Sequence, residues 1–133
     1  MSFKRTMIRD EGLVREARAG DASPANYERT LVTVDAASTL AVAAVVGGLI
    51  VRSGPTAGRI DTSPTAALLI AALAGMDIGD SISCKFVNTS GFTVTLAGGT
   101  DVTASGNLAV LTLTSREIIF IKTSATEMDM VAL

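Results

Sequence analysis

Apolar and polar positions along this chain change rhythm twice. The first 28 residues alternate charged side chains with isolated apolar ones and hold no continuous apolar run. From Arg29 to Val34, polar and β-branched residues alternate as in a half-buried strand. Residues 39–46, TLAVAAVV, hold enough Ala for a short helix and enough Val for a buried strand, and periodicity does not separate the two in so short a run. Gly47-Gly48 breaks the run, Leu49–Val51 reads as a brief buried strand ending at Arg52, and Ser53–Gly58 has the composition of a loop. The strongest local signal follows. Thr62 or Ser63 is placed to cap a helix, Pro64 suits a first helical position, and Asp61 puts negative charge at its positive end. The spacing predicts a helix over about residues 63–74, with Leu69, Leu73 and Met76 on one face and Gly75 as terminator.

Beyond Asp77 the pattern is one of short strands: Ser81–Asn88, Thr93–Ala97, Val102–Ala104, Leu108–Thr114, Glu117–Lys122 and Met128–Ala132. Asn88–Gly91, Ala97–Thr100 and Ser105–Asn107 supply the turns. Alternation predicts the hydroxyls of Thr93, Thr95, Thr112 and Thr114 on one face, and Val94, Leu96, Leu111 and Leu113 on the other. Many short strands with turns every eight to twelve residues point to a mainly β chain. The expected architecture is a single antiparallel β-sandwich or barrel-like domain over 29–133, with one short helix at about 63–74 and an extended N-terminal arm over 1–28.

Charge sharpens the division. Residues 1–34 hold Lys4, Arg5, Arg9, Arg15, Arg18 and Arg29 against Asp10, Glu11, Glu16, Asp21 and Glu28, which leaves five basic and eight acidic residues for the other 99 positions. A segment so poor in large apolar residues cannot bury much area by itself. It is either a solvated terminus or an arm, extended or a short helix, that orders against a neighbouring subunit. Glu11 and Arg15, four apart, favour a helix over 10–19 by only a few tenths of a kcal/mol. The net charge of −2 offers no basic face for nucleic acid. The uncharged stretch Ala36–Val51 is shorter than the roughly 20 residues of a membrane span. The first residues, MSFKRTMIRDEG, carry charges where a signal peptide needs apolar ones, so synthesis in a reducing cytoplasm is expected.

Chemistry is scarce. The chain has no His, the commonest general base and metal ligand, and the lone Cys84 excludes an intrachain disulfide or a Cys-based metal cluster. Gly98–Asp101 lacks the Lys-Ser/Thr ending of a phosphate loop and the spaced acids of a calcium loop, and reads as a β-turn. Asp77 and Asp80 are near enough to pair as acid and base but have no third polar partner in sequence, and read as turn residues. Cys84 lies in an apolar strand as a small buried hydrophobe; Ser53 and Ser63 have no base to activate them; Asn88-Thr89-Ser90 matches a glycosylation sequon with no secretion signal behind it. No catalytic, metal-binding or cofactor-binding residue emerges, and the chain does not read as an enzyme. Arg52 and Arg59, which flank the 53–58 loop, are either surface arginines or partners of Asp61 or Asp80 in an intersubunit ion pair; Arg52, Arg59 and Asp61 are the candidate intersubunit residues.

The run Gly47–Arg52, the loop and helix start over Ile60–Leu73, the Gly79–Thr89 strand and the Thr93–Thr103 hairpin together resemble a group of small virion proteins of tailed bacteriophages, of the capsid decoration (cement) or fibre-associated kind. The resemblance covers Thr39 to Thr123 and departs at Ser53, where the pattern has Asp. It implies a β-rich homotrimer on the exterior of a phage capsid, made in the host cytoplasm, with the major capsid protein as partner and no direct contact with nucleic acid or membrane. In that setting Phe3, Lys4, Arg5, Arg9, Arg15 and Arg18 are the candidate capsid contacts of the arm. The alternative expectation is a tail-fibre, spike or baseplate module whose exposed loops 53–58 and 98–107 bind a receptor or glycan.

Overall fold

The computed structural model describes residues 27–133 together with the backbone of residues 7–10 and 13–16. In the N-terminal segment, β1 (Met7–Asp10) and β2 (Leu13–Glu16) pair antiparallel, with Ile8 opposite Arg15 and Arg9 opposite Val14. A strand pair therefore stands where the Glu11–Arg15 spacing favoured a helix, because a contribution of about 0.2–0.5 kcal/mol does not decide a local structure.

The body is mainly β. Its strands are β3 (Glu28–Val32), β4 (Ser38–Thr39), β5 (Gly48–Arg52), β6 (Arg59–Thr62), β7 (Ser81–Asn88), β8 (Val94–Ala97), β9 (Val102–Gly106), β10 (Ala109–Val110), β11 (Thr114–Lys122) and β12 (Met128–Ala132). The helices are α1 (Val42–Gly47) and α2 (Ala66–Ala72). A six-stranded sheet has the order β3-β5-β7-β11-β12-β9, and a four-stranded sheet the order β10-β8-β6-β4. The chain visits them alternately, running from β3 in the larger sheet to β4 in the smaller, back to β5, across to β6, and so on to β8.

This alternation overturns the expected antiparallel pairing. Pairs β3·β5, β5·β7, β4·β6, β6·β8 and β9·β12 are parallel, while β7·β11, β11·β12 and β8·β10 are antiparallel. The physical reason is the return path. Each of the first returns to the larger sheet passes through a helix, so the next strand enters from the same end as the last, which is the crossover that parallel strands require. Two helices stand among the described residues where one was expected, and most of the ambiguous 39–46 run falls in α1.

The Gly-Gly break has two separate causes. Gly48 ends α1 in the left-handed region at φ 90°, its N–H donating to the Ala44 and Val45 carbonyls. At Gly47 a Cβ would stand 2.7 Å from the Glu28 carbonyl oxygen on the neighbouring β3. The second helix starts later than its expected cap. Thr65, not Thr62 or Ser63, is the N-cap, its Oγ1 accepting from the Leu68 N–H at 3.3 Å. Thr62 is committed to β6, which pairs with β4 and β8.

Inward side chains of both sheets and both helices form one contiguous core: Ile50, Cys84, Phe86, Ile118, Phe120, Met128 and Met130 from the larger sheet, Val94, Leu96 and Val110 from the smaller, and Ala44, Val45, Ala66 and Leu69 from the helices. Each large aliphatic or aromatic side chain buried this way contributes about 1.5–3 kcal/mol. Helices of six and seven residues are too short to persist alone, so α1 and α2 depend on that burial. α1 packs on β3, β5 and β7, and α2 against α1. The smaller sheet and the two helices thus make up the wall of the core that faces the larger sheet.

Candidate interaction surface

Register places the ends of β3, β5 and β7 in one row, Val32 beside Arg52 beside Asn88, with Thr114 of β11 completing it. The loops 33–37, 53–58, 89–93 and 111–113 therefore gather at one edge of the larger sheet. Two buried polar side chains pin them there.

Arg52 is fully buried, and each of its five N–H groups has an acceptor. Nε donates to Asp61 Oδ2 at 2.7 Å and an Nη2 hydrogen reaches Oδ1 at 3.3 Å; the remaining donors reach the carbonyls of Val34 (2.6 Å), Ala36 (2.5 Å) and Ser53 (3.0 Å). One side chain thereby joins the loop after β3, the loop after β5 and the strand β6. Arg52 and Asp61 were expected across a subunit boundary, but they close within one chain at zero exposure. The alternation Arg59-Ile60-Asp61 turns Asp61 into the core, and a guanidinium in the next strand-end row is the charge that makes its burial tolerable. Arg59 bonds neither Asp61 nor Asp80. It pairs with Asp35 at 2.7 Å in a half-exposed position, and Asp35 also accepts from the Thr56 N–H and Oγ1. Those Thr56 hydrogen bonds, with the Arg59 guanidinium, hold the Asp35 carboxyl below the ordinary carboxylate range.

Asn88 is the second pin. Its Nδ2 donates to the carbonyls of Phe92 (2.7 Å) and Val110 (2.9 Å), and its Oδ1 accepts from the N–H and the Oγ of Ser90. Thr112 Oγ1 donates to the Ser90 carbonyl, and the Thr114 Oγ1 to the Leu111 carbonyl at 2.7 Å. A buried asparagine with these bonds is a structural joint, its Nδ2 committed to main-chain carbonyls.

What this web holds out is apolar. The expected strand Leu108–Thr114 does not form; β10 stops at Val110, and Leu113 takes φ 55°, in the left-handed region. That conformation costs a β-carbon residue about 1–2 kcal/mol. Leu111 and Leu113, expected inside, are 50% and 78% exposed, with Phe92 beside them at 44%. Val94 and Leu96 do point inward, as the alternation predicted.

The wall formed by the smaller sheet and the helices has a second distinctive property. Its outward rows run Thr39–Thr62–Ala97 and Ile60–Thr95–Ala109, and the helices add exposed Ala43, Ala67, Leu68 and Ala71. The charged residues of its elements are Asp61, which is buried, and Arg59, which sits on the inward alternation at the strand start with its guanidinium on the half-exposed Asp35. No outward side chain of this wall is charged. The outward side of the larger sheet is different, with Arg29, Lys85, Glu117 and Asp129 set among Leu49, Val51 and Ile119.

The other candidates fall into structural places. Asp80 Oδ2 accepts from the Asp77 N–H in an exposed turn, Cys84 is buried, and Ser63 Oγ bridges the Pro64 carbonyl and the Gly99 N–H. Of the arm residues, Arg9 and Arg15 lie on the β1·β2 pair, whereas Phe3, Lys4, Arg5 and Arg18 lie outside the described residues. Among the described residues, no helix is long and apolar enough to cross a membrane, and no three His, Cys, Asp or Glu side chains gather to hold a metal. Comparison with family models, with curated proteins and with solved structures finds no match to this chain.

Proposed function

We propose that this chain is a structural virion protein, a capsid decoration (cement) protein that assembles as a homotrimer on the outside of a phage head. The observation that carries the reading is the charge-free outward side of the wall built from β4, β6, β8, β10, α1 and α2. Surface helices and sheet faces that stay in water normally carry interspersed charges. Here the exposed positions are Thr and Ala with isolated Ile60 and Leu68, a surface whose chemistry suits cover by protein. The sequence resemblance over Thr39–Thr123 supplies the kind of assembly.

Such a protein works by adding contact area between shell subunits. Apolar area contributes about 25 cal/mol per Å², and three linked copies bind with avidity beyond any single contact. The two pins at the strand ends suit that role, since a cement must hold its contact surface rigid. The arm, polar and poor in large apolar residues, is the part assigned to the shell.

Immunogold labelling of particles made by the phage that encodes the chain tests this reading. Label over the head supports it, label confined to the tail replaces it with the fibre or baseplate alternative, and unlabelled particles overturn it. Removing residues 1–28 is expected to abolish head binding and leave the trimer intact.

A further inference from the structure

Residues 27–133 hold six cations, and the structure disposes of them unequally. Arg29 and Lys85 stand on the outward side of the larger sheet. Arg52 has an acceptor for each of its five N–H groups, Arg59 holds Asp35, and Lys122 Nζ donates to the Met76 carbonyl at 2.9 Å. Arg116 is the exception. Its Nε is shut off from solvent with no hydrogen-bond partner, and its Nη1 makes one long bond, 3.3 Å, to the carbonyl of its own neighbour Ser115. Buried polar groups are normally paired, so an orphaned donor on a cation needs a reason.

The place of Arg116 in the sheet is also unusual for a cation. β11 turns Arg116, Ile118 and Phe120 to its inward side, and register sets Arg116 beside Phe86 and Phe86 beside Ile50. A charge therefore ends a row of fully buried apolar side chains. The residue is only partly buried, at the seam where β10, the edge strand of the smaller sheet, packs on β11. Among the described residues no acid pairs with it. Glu117, next in sequence, lies on the opposite side of the sheet, across from Lys85, and Asp101 is the one acid between Phe86 and Ser115. Asp61 and Asp35 are already held by Arg52 and Arg59.

We infer that Arg116 is a binding site for a protein carboxylate, supplied by another copy of this chain or by the shell. This deepens the decoration-protein reading and rests on it. A guanidinium presents Nε and one Nη as a two-pronged edge that matches the two oxygens of a carboxylate. In the unbound chain the Nε side of that edge is turned against the protein, and leaving this pose forfeits one long bond to Ser115. An incoming carboxylate thus gains two charge-assisted bonds for little lost. A nucleic acid is the wrong match, because phosphate backbones are held by clustered cations and here a single one stands in a chain of net charge −2. The site lies at the rim of the charge-free wall, of which β10 is part, so a protein covering the wall brings its own rim to Arg116. A single charge pair at the rim of an uncharged contact fixes its orientation.

The test compares the full chain with Arg116→Leu and Arg116→Lys by sedimentation velocity, by co-sedimentation with phage heads assembled without the chain, and by thermal melting at a dilution that leaves each chain monomeric. Leucine removes the orphaned donor, so Arg116→Leu is expected to melt at or above the wild type. It is also expected to weaken either self-association or head binding at least tenfold. Loss of the trimer places the carboxylate on another copy, and loss of head binding with the trimer intact places it on the shell; either supports the inference. Arg116→Lys keeps the charge without the fork and is expected to fall between the two. If Arg116→Leu assembles and binds heads as the wild type does, the carboxylate site is wrong and the decoration reading stands. If it melts well below the wild type, Arg116 is a structural residue and the inference is likewise overturned. If the wild type is monomeric and leaves the heads bare, the decoration reading falls and takes this site with it.

Discussion

Replacing Arg52 by methionine isolates the contribution of the buried pin. Methionine fills part of the arginine stem's volume but removes all five donors. Asp61 then remains at zero exposure without its cation, and the Val34, Ala36 and Ser53 carbonyls lose their partner. Breaking one side of a buried pair costs about 3–5 kcal/mol, most of it the uncompensated charge. Against a domain stability of about 5–15 kcal/mol this is a large fraction. With a urea m-value of about 1–3 kcal/mol per molar, the unfolding midpoint is expected to fall by on the order of 2 M. Far-ultraviolet circular dichroism in urea, at one fixed protomer concentration, reads it. The companion variant Arg52→Met/Asp61→Leu removes the stranded charge and is expected to recover more than half of the loss, leaving the orphaned carbonyls as the residue. A single-variant loss under about 1 kcal/mol would refute the reasoning, as would a double variant no better than the single one.

Asp35 gives a pH signature. Its folded carboxyl is held below the ordinary range by Thr56 and Arg59, so the folded chain keeps it ionised where the unfolded chain takes up a proton. Its stabilising effect is present above the unfolded value near about pH 4 and is lost as pH falls below it. The difference in urea midpoint between wild type and Asp35→Asn should therefore be largest near neutrality and shrink toward pH 2; a pH-independent difference would count against the Asp35 assignment. Asn88→Ala takes the side-chain donor from the Val110 carbonyl and the acceptor from the Ser90 N–H, while the Phe92 carbonyl keeps Ser90 Oγ, at about 1–3 kcal/mol for an unsatisfied buried group, and hydrogen exchange should show the 89–93 and 111–113 amides losing protection together. Gly54 and Gly75 both have φ above +90°, but a Cβ at Gly54 meets the Thr33 carbonyl oxygen at 2.1 Å and one at Gly75 meets nothing within 4 Å. Gly75→Ala is expected to cost about 1 kcal/mol and Gly54→Ala clearly more; equal losses in a melt would show that the loop is free to move.

Much of the β-rich body was legible. The strands expected at 29–34, 49–51, 81–88, 93–97 and 128–132 stand at 28–32, 48–52, 81–88, 94–97 and 128–132, because the core takes every second side chain. Pairing direction was not legible. It depends on which sheet each strand joins, and nothing local in a two- or four-residue strand such as β4 or β6 encodes that choice. The cap of α2 was misplaced because Thr62, Ser63 and Thr65 are all capable of capping; pairing of β6 takes up Thr62, and the Ser63 hydroxyl is committed to the Gly99 N–H and the Pro64 carbonyl. Leu111 and Leu113 were placed inside because the Leu-Thr alternation continues unbroken through them; the left-handed turn at Leu113 carries no glycine or asparagine to announce it. By charge and proximity Arg52 reads either as a surface arginine or as an intersubunit partner of Asp61 or Asp80; its closure on Asp61 within one chain depends on β5 and β6 meeting from different sheets, which no local pattern encodes. The charge-free wall was readable in outline, since Thr62–Met76 carries no charged residue at all.

The central claim is that the charge-free wall is covered by protein in the assembled state. Native mass spectrometry of the full chain tests it most directly. The account predicts one dominant species at three times the 13.6 kDa chain mass, giving way to smaller species when Thr95 is replaced by lysine. A single species at 13.6 kDa, unchanged by that substitution up to about 100 μM protein, a concentration at which an interface of ordinary affinity is saturated, would contradict it.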